Sequence, residues 1–202
     1  MPSRPRTRLW PTGLALAISA VAATTSWSQD NPVAPVAPGS CITGATPCVT
    51  VSFGISRTDA IGLRGFSVRF RLSSELSLCS GTASITQGTY LSGVGSTAFQ
   101  VLDNLDGTYA VDAAILGLPC GATAASGTLF QIAVEASGAD GTGTITPEVV
   151  ILRDCANASV PGTPGAAVSV VIDTVAPTAV SNLATSQVKL GNDGDGTTKV
   201  TV

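Results

Sequence analysis

An all-β chain folded as two antiparallel sheets packed face to face, a jelly-roll sandwich, is predicted by three features of this sequence. Apolar and polar residues alternate with period two in several short segments, the pattern of a strand with one buried face. Turn-forming steps such as Asp106-Gly107 and Asp140-Gly141 divide those segments at short intervals. Composition agrees: only 11% of residues are charged, 22 are glycine, and Val, Thr, Ser and Ala are abundant, which suits strands and tight turns better than helices.

Residues 1–28 read as an export signal. Arg4, Arg6 and Arg8 form a positive start, Leu14, Leu16, Ile18 and Val21 an apolar core, and Ser26-Trp27-Ser28 offers small residues for cleavage after Ser28, with Ala20-Val21-Ala22 as the alternative. Pro11 and Gly13 leave the apolar run short of the roughly 20 residues that span a bilayer. No membrane insertion is expected once the signal is removed. Residues 29–40 hold three prolines among small residues and read as an extended linker, so the domain is expected at 41–173.

Val49, Val51, Phe53 and Ile55 alternate with Thr50, Ser52, Gly54 and Ser56, which makes the first strand half-buried. The second repeats the pattern with larger groups, Phe66, Val68, Phe70 and Leu72 turning inward while Ser67, Arg69 and Arg71 turn outward. Further strands are expected over residues 83–87, 97–102, 108–116, 127–136, 143–152 and 166–173, and no segment reads as a helix. Asp103 to Gly107 reads as a hairpin turn whose Asp-Gly step accepts positive φ. Residues 174–202 change character at Pro177 and open a new apolar pattern that ends as an alternating strand, Thr198 to Val202. Such a fragment is too short to bury a core alone, so an incomplete C-terminal β module is expected there.

Signal removal leaves seven basic against thirteen acidic residues, and a net charge near −6 is not expected to attract nucleic acid. The chain has no histidine, which removes the commonest general base and zinc ligand. Five cysteines, Cys41, Cys48, Cys79, Cys120 and Cys155, lie in the exported part, where oxidising conditions let them pair. Cys41 and Cys48 bracket a Thr-Gly-Ala-Thr-Pro turn and are the first pairing expected; Cys79 with Cys120 is the second, leaving Cys155 spare. No C-x-x-C spacing suggests a metal site.

Arg69 and Arg71, with Arg64 and Arg57 nearby, form either a basic stripe for an acidic partner or a solvated strand face. Asp112, Glu135 and Glu148 are the acids to weigh as a glycosidase pair, and no spacing brings them together. Tyr90 and Tyr109 are the only aromatic rings beyond phenylalanine left after signal removal, thin material for stacking sugars. Asp193 and Asp195 resemble the start of a calcium loop but lack its late acidic ligand, and a turn accounts for them. Asn157-Ala158-Ser159 matches a glycosylation acceptor, meaningful only in a eukaryotic secretory route.

Gly65-Phe66-Ser67-Val68-Arg69-Phe70-Arg71-Leu72, then Ser74-Glu75-Leu76, resembles an early aromatic-rich strand of cohesin-like domains. Gly127-Thr128-Leu129-Phe130-Gln131-Ile132-Ala133-Val134 is similar to a later strand of that family. The resemblance covers roughly residues 48–173 and implies the jelly roll shared by cohesins and a superfamily of carbohydrate-binding domains. The several cysteines depart from typical cohesins, so dockerin recognition is not carried over to particular residues. Ala176 to Leu183 is similar to the opening strand of fibronectin type III domains. The expectation is a secreted or surface module without catalytic residues, cofactor or metal, binding a polysaccharide or an extracellular protein. A structural spacer and a glycosidase accessory region are the alternatives.

Overall fold

The computed structural model describes residues 30–176. The residues read above as an export signal, the Asn192 to Gly196 loop and the strands expected of a fibronectin type III-like module lie outside the described residues. In chain order the strands are β1 (Pro32–Val36), β2 (Ile42–Thr43), β3 (Cys48–Ser56), β4 (Leu63–Leu72), β5 (Leu76–Thr82), β6 (Ile85–Gln87), β7 (Thr97–Asp103), β8 (Thr108–Ile115), β9 (Ser126–Ala136), β10 (Gly141–Asp154), β11 (Ser159–Val160), β12 (Thr163–Pro164) and β13 (Val168–Asp173). One helical turn, α1 (Thr89–Ser92), follows β6. The first sheet runs β12-β1-β3-β9-β5, with β6 also on β9. The second runs β2-β13-β10-β4-β8-β7, with β11 also on β10. Pairing is antiparallel except at β1–β12 and β2–β13, where short edge segments lie parallel.

Alternation drives the two layers together. Val49, Val51, Phe53 and Ile55 of β3 face Phe66, Val68, Phe70 and Leu72 of β4, and all eight are buried. Phe130 of β9 sits at the centre, stacked on Phe53 with centroids 4.4 Å apart and within 5.9 Å of Phe70. The expected hairpin joins β7 to β8, with Gly107 at φ 81 where a side chain would be strained.

Three expectations are corrected. Residues 32–36, read as linker, are strand β1, pairing with β3 from Val33↔Ile55 to Val36↔Ser52. A run of Val, Ala and Pro shows no polar contrast, yet Val33 is fully buried, and prolines are tolerated because only the short β12 covers the strand's other side. Asn31, just before it, is fully buried, and its Nδ2 donates to Asp59 Oδ2 at 2.7 Å and to the Pro161 carbonyl at 2.6 Å. Secondly, β5 and α1 were not anticipated, since Leu76 and Leu78 run into Cys-Ser-Gly-Thr, which reads as a turn.

Thirdly, the disulfides are Cys48–Cys79 and Cys120–Cys155, and Cys41 is the free, exposed one. Cys41 leads into β2 at the edge of the second sheet, whereas Cys48 opens β3 in the first, so the chain between them separates the pair first expected. Cys48 instead meets β5, and Cys120, in the loop after β8, meets the residue that follows β10. Among the described residues no helix is long and apolar enough to cross a membrane.

Candidate binding face

The outer surface of the second sheet, across β10, β4, β8 and β7, is where chemistry-bearing side chains gather. Register sets its rows: Arg153, Gly65, Ala114 and Ala98 lie side by side, then Ile151, Ser67, Asp112 and Gln100, then Val149, Arg69, Ala110 and Leu102. The small residues make a shallow groove of about 640 Å³, walled by Arg64, Arg153, Ile151 and Leu116. A Cβ on Gly65 would stand 2.9 Å from the Ala113 carbonyl oxygen, so the floor is kept low by the backbone's own approach.

Apolar groups remain uncovered at both ends, Leu102 and Leu105 by the β7–β8 turn and Leu116 and Leu118 in the loop after β8. Leu116 is 55% exposed and Leu118 is 88% exposed, both on the loop that the Cys120–Cys155 disulfide ties to the end of β10. Two large exposed side chains on a tethered loop beside a groove are typical of a contact surface rather than of scattered surface leucines.

The charge is arranged by a bulge. Register slips between Pro147 and Val149, which turns Glu148 toward the arginines of β4. Its carboxylate accepts from Arg69 Nε at 3.1 Å and from Arg71 Nε at 2.7 Å. Arg71 Nη1 also donates to the Asp106 carbonyl at 3.0 Å, and Arg64 Nε donates to the Ile115 carbonyl at 3.3 Å. Among the described residues, both terminal nitrogens of Arg69 and all side-chain donors of Arg153 lack a hydrogen-bond partner. Asp106, in the β7–β8 turn, is engaged by the hydroxyl and backbone N–H of Thr108, which hold its carboxyl below the usual carboxylate range.

Arg57 does not join this stripe. It is buried at the end of the sandwich, where Nη1 donates to Tyr90 Oη at 3.2 Å and to the Ala122 carbonyl at 2.8 Å, while Nη2 bonds Asp59 and the Ile61 carbonyl. Burial pushes the Asp59 carboxyl up, but the Ile61 N–H, Asn31 and Arg57 outweigh it and leave the group below its ordinary value. Sequence spacing places Arg57 two residues beyond a strand pattern and gives no sign that the chain folds back over it.

The acids weighed for hydrolysis are apart. Asp112 is on the outer face of the second sheet, Glu148 is paired with arginine there, and Glu135 belongs to β9 in the other sheet beside Cys48 and Cys79. With both sulfurs in a disulfide, that trio is not a metal site. Tyr90 is buried, its hydroxyl donating to the Ala124 carbonyl at 2.7 Å, and Tyr109 stacks inward on Phe70. Tyr90 offers no ring face to a sugar, and Tyr109, partly buried, has one face taken by Phe70. The groove and its exposed leucines went unnoticed in the sequence because they come from four strands whose neighbours are fixed only by long-range pairing.

No protein-family model matches this chain, and no curated protein does. Solved structures match along most of it. The sixth cohesin of scaffoldin B from Acetivibrio cellulolyticus, in complex with a Cel5 dockerin, aligns with TM-score 0.55 and 13% identity over 72% of this chain and 99% of its own. The fold is cohesin-like. A seventh ScaB type I cohesin from Pseudobacteroides cellulosolvens gives TM-score 0.55 at 13% identity over 76% and 97% of the two chains. A cohesin module from a Clostridium perfringens family 33 glycoside hydrolase gives 0.54 at 10% over 73% and 100%. At such identities the likeness is one of fold.

Proposed function

We propose that this chain is a non-catalytic binding module that docks an extracellular protein on the outer face of its second sheet. The observation that carries the reading is the groove over Gly65, Ser67, Ala98 and Ala114, walled by the uncovered Leu116, with the exposed Leu118 two residues on and oriented arginines on the same sheet face. The protein partner of the cohesin-like neighbour from Acetivibrio cellulolyticus supports a protein rather than a sugar as occupant. So do the burial of Tyr90 and the stacking of the partly buried Tyr109 on Phe70, because glycan sites draw on exposed aromatic faces. The module is exported by residues 1–28, and residues 174–202 lead into a further β module of fibronectin type III character. Two disulfides suit an oxidising compartment.

The test compares capture of secreted proteins from the producing cells by the processed chain, by Ala98→Trp, which fills the groove, and by Thr50→Trp on the opposite sheet. A partner retained by Thr50→Trp and lost by Ala98→Trp is the expected result. Equal capture by all three, or turnover of a glycoside by the purified chain, would remove the reading.

A further inference from the structure

We infer that the partner segment received by this face is acidic, its carboxylates gripped by the arginines of β4 and β10. This rests on the docking reading above and names the chemistry of the occupant. The described residues contain five arginines and eleven carboxylates. Arg57 is buried at the sandwich end; the other four, Arg64, Arg69, Arg71 and Arg153, all belong to β4 and β10 on one sheet face, opposed there by Asp112, Glu148 and, at the β7–β8 turn beside Arg71, Asp106. Eight of the eleven carboxylates lie elsewhere. An acidic domain has therefore concentrated its positive charge on a single surface, and that surface coincides with the groove.

The arginines are also held in a receiving posture. Glu148 takes the Nε edge of both Arg69 and Arg71, which fixes the guanidinium planes and leaves the terminal nitrogens of Arg69 and Nη2 of Arg71 without a partner among the described residues. A planar fork with its outer donors free suits bidentate capture of a carboxylate, and prior orientation lowers the entropy lost on binding. Arg153, exposed one row beyond Ile151, extends the same line toward the leucines of the tethered loop. The occupant is thus a peptide segment that places acidic side chains along β4 and β10 and an apolar one against Leu116 and Leu118. A polyanionic sugar satisfies the charge but not the leucines, so protein is the favoured source of the carboxylates.

A displayed library of random peptides, selected on the immobilised processed chain, reads this directly, with Ala98→Trp, Arg69→Ala and Arg153→Ala chains and soluble polygalacturonate as the other arms. The expected result is enrichment of peptides rich in Asp and Glu with an apolar anchor. Ala98→Trp abolishes their binding, each arginine variant weakens it about tenfold or more, and raising salt from about 0.05 to about 0.5 M weakens it further. Enriched peptides that depend on the open groove but carry no acidic excess and ignore the arginine variants overturn the inference and leave the docking face intact. Peptides indifferent to Ala98→Trp, or none enriched, overturn both. Arginine-dependent binding of polygalacturonate without acidic peptides overturns it in favour of a polysaccharide.

Discussion

The two outer faces of this sandwich are built on one core and differ in almost everything else. On the first sheet the outward residues of β3 and β9 are Thr50, Ser52, Gly54, Gln131 and Ala133, with Glu135 their single charge. On the second, β4 and β10 bring four arginines, a bulged glutamate and a walled groove to the surface. Both alternate with period two, so the fold is indifferent to what faces outward. Burial specifies the layer, and the solvent side is left for recognition to shape.

The largest break in the comparison comes from the shared slab. Phe130 touches Phe53, Phe66 and Phe70 across both sheets, so Phe130→Ala is expected to cost about 4 kcal/mol and to lower both faces together. Urea unfolding measures it. A loss under about 1 kcal/mol would mean that the layers do not meet on this ring.

The disulfides separate the faces. Each closes a loop of similar span, 31 and 35 residues, so removing either is expected to lower stability by about 3 to 4 kcal/mol. Their effects on binding should differ: Cys48→Ala with Cys79→Ala leaves the groove as it is, whereas Cys120→Ala with Cys155→Ala frees the loop bearing Leu116 and Leu118 and weakens partner capture. Equal binding by the two double variants would show that the loop takes no part.

How much of this was legible depended on contrast between neighbouring residues. Val49 to Ile55 and Phe66 to Leu72 announce their buried sides because polar residues stand between the apolar ones, and Asp106-Gly107 announces its turn. Strand β1 hides because Pro32 to Val36 offers only small apolar residues. Which cysteines meet, and which arginines converge, is decided by strand order: Arg69 and Glu148 are 79 residues apart, and local periodicity says nothing of such neighbours. The bulge after Pro147 hid the site further by shifting the parity of β10, so that Val149, Ile151 and Arg153 point outward.

A pH experiment sharpens the contrast between buried and exposed ion pairs. Asp59 and Arg57 have almost no side-chain exposure, and the folded Asp59 carboxyl lies below its ordinary value. A depressed folded pKa contributes stability that is complete above the unfolded value, near 3.8, and is lost as pH falls through the folded one. Asp59→Asn, which strands a buried guanidinium, is expected to cost about 3 kcal/mol at neutral pH and to flatten the stability curve below about pH 4. Denaturant midpoints at several pH values check both parts, and a variant curve parallel to wild type would assign the acid limb to other carboxylates.

The smallest effect probes the faces with one glutamate each. Glu148 pairs with Arg69 and Arg71, whose side chains are 48% and 44% exposed, so solvent screens the attraction; Glu148→Gln is expected to cost under about 1 kcal/mol. Glu135 has no ion pair among the described residues, and Glu135→Gln is expected to stay within about 0.5 kcal/mol of wild type. Unfolding at about 0.05 and about 0.5 M salt distinguishes them, because screening should erase the Glu148 difference and leave Glu135 unmoved. A Glu148 effect that persists at high salt would mean that the bulge, rather than the charge, is what this glutamate maintains. The arginines would then owe their orientation to the backbone of β10 instead of to a carboxylate between them.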